Sequence, residues 1–408
     1  MQGDEGLVVG LDIGTTKICA VVGEVNPDGI DIVGLGTHPS VGLRKGVVVN
    51  IESTVDSIKR AIEEAELMAG CEITSVYAGI AGGHIKGFNS HGIVAVKGSE
   101  VTHKDIERVI DAARAVAIPP DREVIHVLPQ EFIVDEQGGI QDPLGMSGVR
   151  LEAKIHIVTG AVTSAHNLVK CANRAGLDVC DIVLQSLASS DAVLNKEEKD
   201  LGAALIDFGG GTTDLAIFKG KSIKHTSVLA VGGNNLTNDV SVGLRTPMAE
   251  AEKIKIRYGT CLTDNVSKDD TIEVAGVGGR QPRTLSRQIL AEILEPRVEE
   301  IFDLMNREIY RAGMEDVVTS GVVVTGGSCL LEGVSDIAEA IFGLPTRIGK
   351  PMGIRGLVDV VNNPMYATAV GLVVYGARSQ PQKKFRIRDK NIFNRVMARM
   401  KKWFKEII

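Results

Sequence analysis

Two glycine-rich turns of the same type lie far apart in this chain. The first covers residues 12–17 (DIGTTK) and the second covers residues 207–214 (DFGGGTTD), and apolar runs flank both. This pattern predicts a β-hairpin with Gly and Thr at its tip. Such a tip exposes backbone N–H groups and hydroxyls without bulky side chains, as phosphate binding requires. Either turn alone could be an ordinary hairpin, but two copies predict a duplicated domain that holds a phosphate chain between its halves.

An aspartate opens each turn, Asp12 in the first and Asp207 in the second. A carboxylate cannot be a direct phosphate ligand, because both groups are anions. It fits such a turn when a cation such as Mg²⁺ lies between the carboxylate and the phosphate. The sequence therefore predicts a phosphate site that also holds a divalent cation.

A third glycine turn ends the strand-like residues 322–328 (VVVTGGS), and residues 330–342 after it have helical spacing. In this order the three turns resemble those of the actin/Hsp70/sugar-kinase superfamily of ATP-binding proteins. That resemblance implies two closely crossing helices of small residues, and residues 185–194 and 366–372 fit those places. Each of these two segments, taken alone, is also compatible with an ordinary alanine-rich helix.

The composition favours a folded protein of a reducing compartment. The 408 residues, 44% apolar and 24% charged, allow two to four domains with cores of their own. Six cysteines without a CxxC pair argue against a zinc site or a disulfide framework. The acidic start of the chain argues against a signal peptide. No apolar run approaches the ~20 residues that a membrane-spanning helix needs.

Charge is concentrated at the end of the chain. Residues 383–408 hold ten Lys and Arg against two acidic residues, although the formal net charge of the whole chain is −7. An acidic body with a basic tail indicates an anionic surface as the partner of the tail.

The tail also has a helical pattern of bulky apolar residues. After a basic linker at 379–390, residues 391–408 are predicted to form an amphipathic helix that lies in the headgroup plane of a membrane with anionic lipids. Packing on the protein's own core or in an acidic protein groove are alternatives, and the bulky residues argue against nucleic acid as a partner. The residues predicted to enter the membrane are Phe393, Met397, Met400, Trp403, Phe404 and Ile407.

Two insertions interrupt the duplicated pattern. Before the first, a helix is expected over 53–68, capped by Ser53 or Thr54, and a buried strand over 75–80. The first insertion, about 83–160, reads as a small α+β domain with strands near 90–96, 123–132 and 151–158 and a helix at 104–116 capped by Thr102. The second insertion, 231–309, holds helices predicted over 247–258 and 285–309.

Longer stretches make the resemblance more specific. The runs PLGMSGVRLEAK at 143–154 and GGRQPRTLSRQ at 278–288, with EPR at 295–297, are similar to the FtsA family of bacterial cell-division proteins, as are stretches through the whole chain. The resemblance implies an actin-like fold of two RNase H-like halves, in which an unrelated small domain replaces one actin subdomain. It also implies a protein that binds ATP, polymerises on the inner face of the cytoplasmic membrane at the division septum and tethers FtsZ there.

The resemblance also implies domain boundaries. The first half would be 1–82 with 161–201, and the inserted α+β domain would be 83–160. The second half would be 202–230 with 310–378, and its FtsZ-binding insertion would be 231–309. The linker 379–390 and the terminal helix 391–408 would complete the chain.

The site residues transfer from the family one by one. Asp12 and Asp207 would hold hydrated Mg²⁺, and Glu252 and Lys255 would contact ribose and adenine, although both also suit a plain charged helix face. Gln185 would position water for slow hydrolysis, or simply start a helix. The groups expected to contact the phosphates or the base are Gly14, Thr15, Thr16, Lys17, Gly209, Gly210, Gly211, Thr212, Thr213, Gly326, Gly327 and Ser328. Lys17 could equally be a solvated strand residue.

Partners follow from the same resemblance. Arg280, Arg283 and Arg287 form a basic row that could steer the acidic C-terminal tail of FtsZ, or could be a solvated surface. Other copies of this chain in a filament and later division proteins are further expected partners.

Two other classes share the three turns. A sugar or small-molecule kinase would need a carboxylate base in the cleft, for which Asp181 and Asp191 are candidates. A pilus-assembly or chaperone-type actin-like ATPase is the other alternative.

Overall fold

The computed structural model describes residues 6–379. The predicted linker and terminal amphipathic helix lie outside the described residues, apart from Ser379. In the first half, a three-stranded meander precedes a short hairpin, a helix and a fourth long strand. These elements are β1 (Leu7–Ile13), β2 (Lys17–Asn26), β3 (Gly29–Pro39), β4 (Leu43–Arg44), β5 (Val47–Val48), α1 (Ile51–Ala69) and β6 (Ser75–Ile80).

Helix α1 begins two residues before the predicted start. The expected cap at Ser53 or Thr54 is wrong, because Asn50 fills that role: its side-chain oxygen accepts the Ser53 N–H at 3.0 Å. Asn is as good an N-cap as Ser. Thr54 instead turns its hydroxyl back to donate to the Asn50 carbonyl at 2.7 Å. Gly70, in the left-handed region at φ 67°, ends the helix as a glycine C-cap does.

A separate antiparallel sheet occupies the first insertion. It consists of β7 (Lys86–Ala95), β8 (Arg122–Val134), β9 (Gln137–Ile140) and β10 (Arg150–Ala161), in the order β7-β10-β8-β9, with α2 (His103–Arg114) packed against it. Thr102 caps α2 as predicted, in a capping box with Asp105. The sequence did not predict β9, because its QGGI segment lacks apolar alternation.

The chain then returns to the first half through α3 (Val162–Arg174), β11 (Asp178–Leu184), α4 (Gln185–Val193) and α5 (Lys196–Leu201). The second half opens with its own meander, β12 (Ala203–Phe208), β13 (Thr213–Lys219) and β14 (Ser222–Leu229). The second insertion follows, with α6 (Gly233–Gly243), α7 (Met248–Tyr258), β15 (Thr271–Val274), β16 (Arg283–Ser286) and α8 (Arg287–Arg311).

The helix predicted over 285–309 starts at Arg287 instead. Residues 283–286 pair with β15 as a strand, and the Ser286 hydroxyl then accepts the Gln288 N–H at 3.2 Å and starts α8. The chain ends with β17 (Val322–Thr325), α9 (Val334–Phe342), β18 (Thr346–Ile348), β19 (Arg355–Gly356), α10 (Val358–Val361) and α11 (Ala367–Arg378). Helix α9 begins later than expected, because a 3-10 turn at Gly327–Leu330 and a left-handed Gly333 come first.

The two main sheets repeat one topology. The first has the order β11-β6-β1-β2-β3-β19 and the second β14-β13-β12-β17-β18. In each, an antiparallel meander is extended from its first strand by two parallel strands. This repetition is the duplication that the paired turns predicted.

Helices α4 and α11 cross between the halves at very short range. A Cβ atom added to Gly371 would lie 1.9 Å from the Ala188 carbonyl oxygen. The small residues of both segments therefore permit the crossing, as expected from the sequence. Within residues 6–379, no helix has the length and apolar character needed to cross a membrane.

Candidate functional site

A cavity of about 380 Å³ lies between the two halves. Its wall includes every predicted phosphate, nucleoside and cation residue except Thr213, and it includes Gln185. Thr213 is fully buried as the first residue of β13, and its hydroxyl donates to the Val231 carbonyl at 2.9 Å instead. The topology thus brings together at one place three turns that are far apart in sequence.

The first and second turns face each other across the cavity. A Cβ atom on Gly210 would lie 1.9 Å from the Thr16 hydroxyl, and one on Gly211 would lie 2.4 Å from that of Thr15. Glycine is therefore required in the second turn by the threonines of the first.

Neighbouring groups fix the second turn from behind. The Gly233 and Asn234 N–H groups at the start of α6 donate to the Gly209 and Gly210 carbonyls at 3.0 and 2.7 Å, and the Ser328 hydroxyl donates to Gly209 at 2.9 Å. The Gly209 N–H closes the turn by donating to the Thr212 carbonyl at 3.0 Å, whereas the Gly210 and Gly211 N–H groups have no partner within residues 6–379 and can be donated to a ligand.

The third turn packs directly on the second aspartate. Gly326 has φ 89°, and a Cβ there would lie 2.5 Å from a carboxylate oxygen of Asp207. Only glycine combines this backbone conformation with so close an approach. The third turn therefore forms a wall of the cavity beside Asp207.

Three buried carboxylates lie on this part of the cavity wall. Burial raises the pKa of Asp12 to about 6, against the opposing effect of Lys17, and raises the pKa of Asp207 as well. Asp207 accepts hydrogen bonds from Ser189 on α4 at 2.6 Å and Thr368 on α11 at 3.1 Å.

The third carboxylate, Asp214, was not among the predicted site residues. It lies directly opposite Asp207 in the β12–β13 register, and burial, with Asp207 next in effect, raises its pKa to about 8. One of its oxygens has no hydrogen-bond partner within residues 6–379. The signal in the sequence was the second aspartate at the far end of the same turn. Within residues 6–379, no three His, Cys, Asp or Glu side chains are grouped so that they could hold a metal ion directly. Buried carboxylates that resist ionisation at the cavity wall suit a hydrated cation, which they would hold through water.

Gln185 is the first residue of α4, and its side-chain amide donates to a carboxylate oxygen of Asp12 at 2.9 Å. This bond ties the connecting helix to the first turn and orients the amide at the cavity wall.

Lys17 lines the cavity and is only partly exposed, so it is not a freely solvated strand residue. Its ammonium donates to the Met365 carbonyl at 2.6 Å and lies 4.9 Å from the centroid of the Tyr366 ring. The charge of Lys17 also acts on Asp12, where it offsets part of the rise in pKa that burial causes.

The far end of the cavity suits a nucleoside. Lys255 and Glu252 on α7 form an ion pair at 2.8 Å, and Lys255 also donates to Thr237 at 2.9 Å. Apolar side chains from Leu236, Ile256 and Leu331 line the same cavity. Apolar side chains beside fixed polar groups are typical of a base and ribose site.

The predicted arginine row does not line this cavity. Arg287 donates to the Tyr258 carbonyl at 2.8 Å and to Glu332 at 3.0 Å, and lies 3.7 Å from Asp270. Arg280 and Arg283 are both exposed, although Arg283 also donates to the Leu244 carbonyl. Only part of the row is thus available to an external partner.

The two carboxylates considered for a kinase base also lie outside the cavity wall. Asp181 lies 3.2 Å from the Tyr375 hydroxyl. Asp191 forms ion pairs with Lys199 at 2.7 Å and Arg378 at 3.1 Å. Although burial opposes them, these cations hold the pKa of Asp191 below its usual value.

Comparison with known proteins agrees with this architecture. A family model described as cell division protein FtsA matches residues 204–371, and one for the SHS2 domain inserted in FtsA matches residues 82–159. The chain is 55% identical to the cell division protein FtsA of Pseudomonas aeruginosa, over 92% of this chain and 90% of the relative.

The chain belongs to the FtsA family of cell division proteins. The FtsA proteins of Neisseria meningitidis and Escherichia coli are 45% and 43% identical to it, each over 99% of this chain and 99% and 97% of theirs. The family resemblance expected from the sequence is confirmed.

Solved structures with low sequence identity confirm the actin-like fold. The PilM–PilN type IV pilus biogenesis complex matches with a TM-score of 0.66 at 16% identity, covering 91% of this chain and 98% of the other. MreB5 of Spiroplasma citri, bound to ADP, matches with a TM-score of 0.56 at 16% identity, covering 91% and 97%. The FtsA-family chain thus has the actin-like ATPase fold, with the SHS2 domain inserted.

Proposed function

We propose that this chain binds ATP with Mg²⁺ in the cavity between its halves and acts in division as a membrane-bound filament that tethers FtsZ. The observation that carries the nucleotide proposal is the pair of facing turns, with Thr15 and Thr16 against Gly210 and Gly211. Solved relatives of the fold support it, because MreB5 of Spiroplasma citri is bound to ADP in one structure and to AMPPNP in another.

The cavity sets the orientation of the nucleotide. The base and ribose would lie against Glu252, Lys255 and the apolar wall, and the phosphates would lie between the turns. Asp12 and Asp207 would hold Mg²⁺ through water, with Asp214 next to them. The ion would neutralise phosphate charge, which the three carboxylates would otherwise repel.

Slow hydrolysis is part of the proposal. The Gln185 amide would orient a water molecule at the terminal phosphate. In the described structure that amide is bonded to Asp12 at 2.9 Å, so it must rotate or share this bond to act on water. We expect a low turnover for that reason.

The tethering proposal rests on family membership and on the tail sequence. Helix α11 ends at Arg378, immediately before the basic linker and the amphipathic segment 391–408. Each apolar residue of one tail contributes roughly 1–2 kcal/mol on partial burial, and ordering the helix takes several kcal/mol back. A filament with many tails would therefore bind anionic lipid much more firmly than one subunit.

For FtsZ, we propose that its acidic tail contacts Arg280 and Arg283. Arg287 would help to hold this surface in place and would not bind the tail itself, because its charge is already paired with Glu332. Other surfaces would recruit later division proteins.

Flotation with anionic vesicles tests the membrane part of the proposal. Trp403→Glu puts a charge on the apolar face, so the variant should stay in the soluble fraction while the parent floats. If it floats like the parent, the tail is not the anchor. Equal flotation of the parent above and below its polymerisation concentration would contradict the avidity argument.

Titration with an FtsZ tail peptide tests the partner site. Reversing Arg280 and Arg283 to Glu should weaken peptide binding and leave ATP binding unchanged. Arg307→Glu on α8, a 74% exposed side chain, is the control for a simple change of charge. Equal peptide affinity in parent and variant would place the contact elsewhere.

A further inference from the structure

A short hairpin, here called the flap (β4, β5 and the turn between them, residues 43–48), stands at the edge of the nucleotide cavity. Lys45 and Gly46 form its two-residue turn, both with left-handed backbone at φ 51° and 76°. Two residues with positive φ are typical of the tight turn that suits a twisted hairpin. Lysine is an unusual residue in that conformation.

The flap is fixed at both ends. At its tip, the Gly46 N–H donates to the Thr15 hydroxyl at 2.9 Å, and a Cβ on Gly46 would lie 2.9 Å from the Gly82 Cα. At its base, the Val49 and Asn50 N–H groups donate to the Gly42 carbonyl at 2.8 and 3.0 Å. The flap is therefore attached directly to the first phosphate turn.

A second cavity of about 290 Å³ lies between the flap and helix α6. It shares three wall residues with the nucleotide cavity, namely Thr15, Gly211 and Asn234. The second cavity thus adjoins the phosphate turns, and neither Glu252 nor Lys255 is among its wall residues.

The wall of this second cavity combines two exposed cations and three asparagines with the apolar residues Leu43 and Met248. Arg44 and Lys45 come from the flap, and the side-chain amides of Asn234, Asn235 and Asn238 come from α6. Neither cation forms an ion pair with any residue of the described range 6–379, and no acidic residue is among those that form the wall. Two unpaired cations opposite amide donors, beside a phosphate turn, are suited to an oxyanion with several acceptor oxygens.

The Thr15 hydroxyl connects the two cavities. It accepts the Gly46 N–H, so its own hydrogen is free to be donated toward either cavity. A group bound beside Thr15 would thus contact the first turn and the flap together.

We propose that the second cavity is a phosphate-binding site, with Arg44 and Lys45 as its counter-charges. The proposal rests on the proposed nucleotide site, and it adds the flap as the element that reads the phosphate end. The phosphate group is either the terminal phosphate of bound ATP, which would contact the flap from its place between the turns at Thr15 and Gly211, or free inorganic phosphate after cleavage. The chemistry is the same, and experiment distinguishes the two sources.

The test uses the full chain with Arg44→Gln and Lys45→Asn combined, because Asn tolerates the left-handed backbone at position 45. The matched control is Lys59→Gln with Arg60→Gln, an exposed Lys-Arg pair on α1. Equal melting temperatures establish that both variants fold. Where the double variant unfolds, Lys45→Asn alone is used.

Affinities for ATP and ADP are measured by calorimetry, and inorganic phosphate binding, with and without ADP, by ³¹P NMR. If the terminal phosphate is the ligand, the flap variant should lose about tenfold or more in ATP affinity with ADP affinity unchanged. If free phosphate is the ligand, both nucleotide affinities should stay and phosphate binding should be lost. Either result supports the site.

Affinities for all three ligands equal to those of the control would overturn it. Failure of the parent to bind ATP and ADP would instead contradict the proposed nucleotide site. In that case the phosphate titration still decides the second cavity: loss of phosphate binding in the flap variant supports it, and no phosphate binding by the parent overturns it.

Discussion

The two phosphate turns have the same backbone arrangement, but they present different chemical groups to the cavity. The first, at residues 12–17, presents the hydroxyls of Thr15 and Thr16, whereas the second presents backbone only at Gly210 and Gly211. The supports differ as well. The flap contacts the first turn through one bond to Thr15, and α6 with Ser328 holds the second turn through three bonds to its carbonyls.

This difference shows how duplicated halves become complementary. Two threonine turns would collide, and two glycine turns would leave a gap. One of each lets the halves close on each other, with hydroxyls and N–H groups directed at the same space. The second turn has no space for a side chain at Gly210 or Gly211, so we expect substitutions at these glycines to have the largest effects.

The largest expected effect comes from Gly210→Val. Its Cβ would meet the Thr16 hydroxyl at 1.9 Å, so the halves could not close and ATP binding should fall below detection in a calorimetric titration. Gly138→Val in the inserted domain is the control, since the nearest atom to a Cβ there is 3.8 Å away.

Combining Gly210→Ala with Thr16→Ala sharpens the comparison. Removing the Thr16 hydroxyl should restore part of the affinity lost in Gly210→Ala alone, because the clash is between these two positions. Additive losses would mean that the turns do not close on each other when ATP binds.

Much of the fold could be predicted from local pattern. The paired hairpins, the buried strand at 75–80 and the Thr102 cap follow from apolar periodicity and cap chemistry, which act over a few residues. Strand β9 could not be predicted in this way, because its pairing with β8 decides its conformation. The start of α8 could not be predicted either, because the preceding residues 283–286 pair with β15 as a strand. Such pairing overrides local preference.

The site was predicted less evenly. Most glycines and threonines of the turns were recognisable, because a turn of a few residues is enough to present backbone N–H groups and hydroxyls to a phosphate. Thr213 and Asp214 were not, since adjacent strand residues point to opposite faces and only the register shows which one enters the cavity. The partners of Arg283 and Arg287 are distant in sequence, so their structural roles were invisible there.

A third prediction uses the carboxylates of the two turns. Asp12 and Asp214 have pKa values raised to about 6 and about 8, so the folded state holds protons that the unfolded state has lost. The contribution of these carboxyls to stability in metal-free buffer should therefore fall as pH rises from about 4, until about pH 6 for Asp12 and about pH 8 for Asp214, by about 1.4 kcal/mol per pH unit for each group at most.

Denaturant unfolding across this pH range measures the effect. Asp214→Asn should remove the part of the decline between pH 6 and 8 and leave the part due to Asp12 at lower pH. Saturating Mg²⁺ and ATP should flatten the parent's profile, because the cation stabilises the charged carboxylates. Burial lowers the pKa of His156 to about 3, so this histidine adds an opposing rise in stability up to about pH 6.5. The decisive range is therefore pH 7 to 8, where a parent profile that rises with pH would contradict the raised pKa of Asp214.

The smallest expected effect separates the supports of the two turns. Thr15→Ala removes the hydroxyl that faces the phosphates and that accepts the Gly46 N–H, so ATP affinity should fall about tenfold, and Thr15→Ser should restore it.

Ser328→Ala removes one of the three bonds that hold the second turn. Its loss should cost about 1 kcal/mol of folding stability and change ATP affinity less than threefold, since α6 still holds the turn. Calorimetry and denaturant unfolding on the same two variants decide between these roles. If Ser328→Ala weakened ATP binding as much as Thr15→Ala, the support from the third turn would matter to ATP binding as much as the Thr15 hydroxyl of the first turn does. The distinction between a first turn that contacts the ligand through its side chains and a second turn that is held by its neighbours would then be wrong.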